Sequence, residues 1–374
     1  MTSRRIYGVA CLVLPLFSLI FMATIFGNGR LENLPVGVVD HDNTSASRNI
    51  IRKVAATPAL SVTHHYANES EARKDVQRKV IYGYLVIPSG FASKVGNNQV
   101  VTLCYYYHNA LLGVGGELRS TFERLLKQLS VQPIALEAIG WGEDKRAVTS
   151  FLMPVTEEVF PVYNSERNYS VYLSQPFYFV FLQILLLLVT TFALGSETKW
   201  GTTKEWLQTA QGNIVVAVVG KLLPYTFIFI GMGLLGNLLF LRWMQPGLSV
   251  SLWAMNGLMV LFILSTQALA LFLYSVFPVL ALVISAVSMV GSLGATLSGV
   301  TFPVVFMDTP VYAVSFLFPI RHFVEAEQTL LFLHGSFADC WMSVISLLLF
   351  LLPPLLLLPR LKSVLIRNND EIGR

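Results

Sequence analysis

Charge is scarce in this chain. Only 13% of its 374 residues are Asp, Glu, Lys or Arg, while 54% are hydrophobic and the mean hydropathy is +0.61. Soluble domains carry about 25% charged residues, so a purely soluble protein is excluded. Cysteine is scarcer still. Cys11, Cys104 and Cys340 are far apart and odd in number, which excludes a disulfide framework and a CxxC metal site. No basic stripe interleaved with aromatics accompanies the net charge of +4, so nothing supports a nucleic-acid partner. Enzyme motifs are missing too. There is no HExxH, and Val290–Gly294 lacks the first glycine of a nucleophile elbow. The stretch from Gly212 to Gly220-Lys221 is too long for a P-loop and carries Leu222 in place of Ser or Thr. The expectation is a chain that is not an enzyme, with no catalytic residue, no metal site and no cofactor of its own.

The charges that exist are unevenly placed. Between Arg30 and Arg167 lie 15 of the 26 Lys/Arg and 14 of the 22 Asp/Glu. Elsewhere come long uncharged runs. A spanning helix needs about 20 mostly apolar residues to cross a hydrocarbon core about 30 Å thick. The runs predict six such helices, near 6–27, 176–195, 214–240, 253–276, 279–302 and 341–359. Phe277-Pro278 separates the fourth from the fifth. The first is read as an uncleaved helix, because its apolar stretch is longer than a signal-peptide core and no A-x-A site closes it. Positive residues in short loops set the orientation. Arg4, Arg5, Lys199, Lys204, Arg360, Lys362, Arg367 and Arg374 fall on one side, Arg242 and Arg321 on the other. Both termini are therefore expected inside, with residues 30–170 outside the cytoplasm.

The expected fold class is an α-helical membrane protein with six transmembrane helices and an inserted α/β extracytoplasmic domain. Its parts are an N-terminal tail and first helix (1–29), the α/β domain (30–170), the remaining helices (171–359) and a cytoplasmic tail (360–374). In the α/β domain, Leu34–Asp40, Leu60–Tyr66, residues 81–87 and residues 100–107 read as strands. Helical patterns at 47–56 and 69–80 alternate with them, and one or two long helices follow from Asn109 to about Trp141. Asp40, Asp42 and Asn43 read as a strand-to-helix cap, the alternative being a metal site. His64, His65 and His108 lack metal-ligand spacing.

Ion-coupled transporters carry ionisable residues inside the membrane. These spans have almost none, Lys221 lying within snorkelling reach of the inner surface. A transporter of this kind takes its energy from a separate cytoplasmic subunit. The internal loop 196–213, SETKWGTTKEWLQTAQGN, suits the docking of such a subunit, with Trp200, Trp206 and Leu207 as anchors. The other reading is an interfacial segment whose tryptophans sit at headgroup level. In the fifth span, Gly291, Ala295 and Gly299 recur every four residues, a spacing that lets helices approach closely. They are candidates for core packing or for a seam between two copies of the chain. The outer segment 302–340, expected to hold short re-entrant helices, contains Pro303, Pro310 and Pro319. Arg321 and Glu325 are spaced to pair on one helical face. Pro303, Pro319, Arg321 and Glu325 are candidates for an outer gate, with a structural ion pair as the alternative.

Four patches resemble the permease subunits of ABC-2-type exporters, in the branch with a large external domain after the first helix. They are Pro35–Asn43 (PVGVVDHDN) with Ser47 and Arg48; Tyr163, Asn164 and Glu166 with Tyr172 and Leu173; Glu197, Gly201, Thr202, Glu205 and Leu207 with 220–225 (GKLLPY); and Ser298, Gly299, Phe302, Pro303, Met307 and Pro310 with 319–323 (PIRHF) and Gly335. The likeness covers nearly the whole chain. Lys199, Ala210 and Ser165 depart from the family's pattern. The resemblance implies a bacterial inner-membrane exporter in which ATP and Mg are bound by a partner, a cytoplasmic ABC ATPase. It implies a second permease copy or paralogue, contact with membrane lipid, and a periplasmic adaptor as a further candidate partner. It also implies that loop 196–213 forms a coupling helix carrying Glu197, Gly201, Thr202, Glu205 and Leu207. The expected cargo is drug-like or lipid-like. The competing reading is a membrane-anchored sensor or docking protein whose external domain binds a ligand or envelope partner.

Overall fold

The computed structural model describes residues 5–25, 29, 31–97, 99–140, 170–243, 250–332 and 337–372. Arg4, Arg374, Gly335 and the patch at Tyr163, Asn164 and Glu166 lie outside the described residues. The chain divides into two compact units, Met1–Gly29 with Pro161–Arg374, and Arg30–Phe160.

The chain begins with an apolar helix, α1 (Arg5–Gly8) and α2 (Leu14–Ile25), joined by a π-helical turn at Val9–Val13. The second unit follows. Its elements are β1 (Leu34–Asp40), α3 (Ser45–Ala55), β2 (Leu60–Tyr66), α4 (Glu69–Gln77), β3 (Gly83–Ile87), α5 (Phe91–Gly96), β4 (Cys104–Tyr107) and α6 (Leu112–Gly140). The sheet order is β2-β1-β3-β4, with β1 parallel to both β2 and β3 and β4 antiparallel at one edge. Two layers of helices explain why β3 is apolar throughout. One core joins Val36, Val38, Leu85 and Ile87 to Ile50, Val54, Leu118 and Phe122; the other joins Val39, Tyr84 and Val86 to Ala72. A sheet buried on both faces reads as continuous apolar runs rather than as alternation.

The helical unit continues with α7 (Gln175–Lys199), α8 (Thr203–Thr209), α9 (Ile214–Leu238), α10 (Leu252–Val276), α11 (Leu280–Thr296), α12 (Thr309–Ser315), α13 (Pro319–Phe332), α14 (Trp341–Leu349) and α15 (Leu352–Ile372). Four helices are long and apolar enough to cross a membrane: Tyr172–Lys199, Ile214–Arg242, Leu252–Val276 and Phe337–Arg367. The other two expected spans are shorter, Val9–Ile25 and Leu280–Thr296. The 17 residues of α11 reach about 26 Å at 1.5 Å per residue, short of a core about 30 Å thick. The expected fifth span ran on to 302. The helix stops sooner because Ser298 Oγ donates to the Ala295 carbonyl (2.8 Å) and accepts from Val300 N (3.3 Å). Gly299 then turns the chain at φ +89°. The last span is interrupted at Phe350–Leu351, just before Pro353 and Pro354, which have no N–H to offer a continuing helix.

Helices α7 and α10 are central. Two-thirds of their most apolar stretches are buried inside the chain, against one-third for α9. Phe179 of α7, Phe262 of α10 and Phe323 of α13 form an aromatic cluster with ring centroids 4.6 to 6.2 Å apart. A polar chain crosses the same bundle. Gln175 Nε2 donates to Asn237 Oδ1 (3.0 Å), and Asn237 Nδ2 donates to Asn256 Oδ1 (2.7 Å), linking α7, α9 and α10. Satisfying amides against one another is what an apolar surrounding demands.

Candidate functional site

The loop 196–213 is built by the ends of two long helices. Helix α7 closes with the Schellman pattern. Thr202 N donates to the Glu197 carbonyl (3.0 Å) and Gly201 N to the Thr198 carbonyl (3.3 Å). Gly201 supplies the required left-handed residue at φ +67°. Helix α8 follows for two turns. It ends at Gln211 and Gly212, both left-handed, with Gly212 N donating to the Leu207 carbonyl (2.8 Å). Asn213 then caps α9, its Oδ1 accepting from Val215 N (3.0 Å) and Val216 N (3.4 Å).

A small electrostatic cluster ties this loop to the bundle. The Glu197 carboxylate pairs with Lys221 of α9 and also accepts the Thr202 hydroxyl. Both charged side chains are only 17% exposed. Lys221 Nζ also lies 5.2 Å from the centroid of the Trp206 ring, and Trp206 Nε1 donates to the Ala217 carbonyl (3.2 Å). Lys362 of α15 reaches the exit turn, donating to the Gly212 carbonyl at 2.6 Å. Of the six residues singled out in this loop, Glu197, Thr202, Trp206 and Leu207 therefore face inward and hold the loop in place. Gly201 and Glu205 face solvent beside Lys204 and Gln208. Lys221 is the residue that sequence reading undervalued. Its partner lies 24 positions away across the loop, beyond any local spacing rule.

The other predicted residues are placed as follows. A Cβ on Gly291 would lie 3.1 Å from Ile184 of α7, so this face of α11 packs within the chain. Ala295 is half-buried against the same core, and Gly299 lies past the helix end. Pro303 precedes a 3-10 turn at Val304–Phe306, and Pro319 opens α13. The Arg321 guanidinium is 3% exposed and sits 3.9 Å from the centroid of Phe316 and 5.1 Å from that of Tyr312. Its Nη1 is 3.6 Å from Glu325 Oε2, which also accepts from Ser343 Oγ (3.4 Å). The Asp40, Asp42 and Asn43 group is a capping network. Asp40 Oδ1 accepts from the N–H of Asp42 and of Asn43 (3.0 Å each), and its Oδ2 accepts from Ser47 Oγ (2.6 Å).

A model of the family described as ABC-2 family transporter protein matches residues 6–358. No protein of curated function matches the sequence. The matched span takes in three of the four long apolar helices and most of the fourth, with the loop at 196–213 and the segment that holds Arg321, and it agrees with a multi-pass membrane chain. The chain belongs to the ABC-2 family of transporter proteins and is a membrane permease of an ABC-type transporter.

Proposed function

We propose that this permease is an exporter subunit that moves a drug-like or lipid-like molecule outward, using ATP and Mg bound by a separate cytoplasmic ATPase. The termini and loop 196–213 lie inside, residues 30–170 lie outside, and the six apolar helices, two of them short, form the bundle. A second permease copy or paralogue completes the transporter, and a periplasmic adaptor meets the external unit. In this reading loop 196–213 is the coupling element. The observation that carries it is the Glu197–Lys221–Trp206 cluster, which fastens α8 to the ends of both α7 and α9. A push on the exposed face of α8 is thereby delivered to two membrane helices at once. Closing of the ATPase pair on ATP biases the bundle between inward and outward states, because the ligand's partner binds one of them better.

The test is co-purification of the intact complex from membranes. Glu205→Lys changes only an exposed charge and should weaken ATPase association at least about fivefold, the effect of losing about 1 kcal/mol at an interface hot spot. Membrane insertion should stay intact. Association of the ATPase that is indifferent to Glu205→Lys and to Gly201→Arg removes the docking assignment. An ATPase that binds normally while no cargo moves in ATP-loaded vesicles favours the anchored-sensor reading instead.

A further inference from the structure

Outside the coupling loop, the most unusual side chain is Glu327, on α13. It is 0% exposed, and neither of its carboxylate oxygens has a hydrogen-bond partner. It occupies the core-facing stripe of α13 with Ile320, Phe323, Val324, Leu330 and Leu331, each 3% exposed or less. Phe323, one turn earlier on the same face, stacks on Phe262 and meets Phe179 in a tilted contact, each with centroids 4.6 Å apart. A bare carboxylate in such a place costs several kcal/mol unless paired. An apolar side chain would fill the position at no such cost. Helix α13 is not one of the long apolar helices, and burial drives the proton affinity of Glu327 well above that of an ordinary carboxylate.

The charged and titratable groups around α13 are otherwise engaged. On α13 itself, Arg321 pairs with Glu325, and His322 Nε2 faces the Phe316 carbonyl at 3.1 Å. From α7 come Tyr178, whose hydroxyl donates to the Met232 carbonyl, Glu197, paired with Lys221, and Lys199, placed over Trp200. From α10 comes Tyr274, bonded to Thr198. Helices α11 and α14 carry no charged residue. The turn Phe337–Cys340 brings Asp339 and Cys340, and Cys340 Sγ donates to the Ala326 carbonyl at 3.6 Å.

We propose that Glu327 is a proton-binding site linked to the opening of the bundle: it carries a proton while α13 is packed and releases it to water when α13 separates from α7 and α10. Ionisable groups buried in membrane bundles commonly serve as such proton carriers. The proposal does not rest on the ATPase-docking reading, since it concerns the permease alone. Linkage sets the direction. The packed state binds the extra proton, so it is favoured at low pH, and the open fraction grows as pH rises.

Cys340 is a native reporter, being 3% exposed and bonded next to Glu327. The experiment uses full-length protein in nanodiscs with the exposed Cys104 removed as Cys104→Ser. Alkylation of Cys340 by a maleimide is followed by peptide mapping from about pH 6 to about pH 9, a range spanning the ordinary thiol pKa. The intrinsic thiolate effect cancels in the rate ratio between this protein and the same protein carrying Glu327→Gln. The ratio should rise with pH, by up to about tenfold per pH unit where one proton is released on opening. Glu327→Leu in place of Glu327→Gln should give the same rise. A flat ratio overturns the proposal. So does failure of both variants to fold, because a carboxyl that is neutral when packed tolerates a neutral replacement. In the infrared spectrum, a protonated-carboxyl band at neutral pH that Glu327→Gln removes supports it; wild-type protein without that band refutes it.

Discussion

Asp42 illustrates how single residues decide between chemistry and architecture. Its Oδ2 accepts the Thr44 hydroxyl at 2.5 Å and Ala92 N at 3.1 Å, while Asp40 is committed to Asp42, Asn43 and Ser47. These lone pairs close the start of α3 and tie it to α5. Thr44 is the reciprocal partner, capping α3 by accepting from Ser47 N at 3.2 Å. The Thr44 hydroxyl, followed by the Ala92, Phe91 and Gly90 backbone, holds the Asp42 carboxyl below the usual carboxylate range. A depressed folded pKa contributes stability above the unfolded value, about 3.9, and loses it as pH falls through the folded value. Thr44→Ala should therefore act twice. At neutral pH it should cost about 1 kcal/mol, the usual loss of an N-cap, seen as about fivefold faster hydrogen exchange in the first turn of α3. In acid, the gap between the two proteins should narrow, because the variant's Asp42 carboxyl lies nearer its unfolded value and has less stability to lose as pH falls. Unchanged exchange at both ends of the pH range would show that the cap is idle.

At the scale of elements, close approach of helices is the deciding quantity. A Cβ on Gly236 would lie 2.3 Å from Tyr178 Cε1. Tyr178 cannot give way, because its hydroxyl donates to the Met232 carbonyl (2.8 Å) and its ring is wedged against Phe179 and Phe240. Gly236→Ala should cost about 1–3 kcal/mol by overpacking and break the Tyr178 bond. Gly231, in the same helix, meets nothing within 4 Å, so Gly231→Ala should be neutral or stabilising by up to about 1 kcal/mol. Thermal unfolding in detergent would separate the two, and equal effects would show that α7 and α9 are not in close packing. The same logic explains what the sequence disclosed. Uncharged runs located the long helices, and the apolar strands Leu34–Asp40 and Leu60–Tyr66 stand where the pattern put them. Helix α5 went unseen because six residues behind a left-handed Gly90 carry no periodicity. The break before Pro353 was hidden inside an unbroken apolar run. Glu327 escaped because charge was sought within runs, whereas its signal is positional: an acid in the apolar stripe Ile320, Phe323, Val324, Leu330, Leu331. Pairings such as Glu197 with Lys221 depend on how distant helices meet, which local spacing does not encode.

For the whole molecule, orientation is the quantity on which coupling rests. The distribution of Lys and Arg favours termini and loop 196–213 inside, the orientation that the proposed coupling requires. Arg321, one of only two opposing charges, is wrapped by aromatic rings and Glu325 rather than offered to a lipid surface. The cysteines make the orientation measurable without adding a probe to the external side. Cys104, at the start of β4, is exposed, while Cys11 and Cys340 are buried. A brief pulse of membrane-impermeant maleimide applied to spheroplasts in mild acid, where the packed state keeps Cys340 covered, should tag the wild-type chain at Cys104, and Cys104→Ser should remove that tag. Gln208 lies on the exposed side of α8, so Gln208→Cys in the Cys104→Ser background should react only after permeabilisation. The opposite order of accessibility would place loop 196–213 outside. No cytoplasmic ATPase could then push on α8, and the Glu197–Lys221–Trp206 cluster would have to be explained as packing alone.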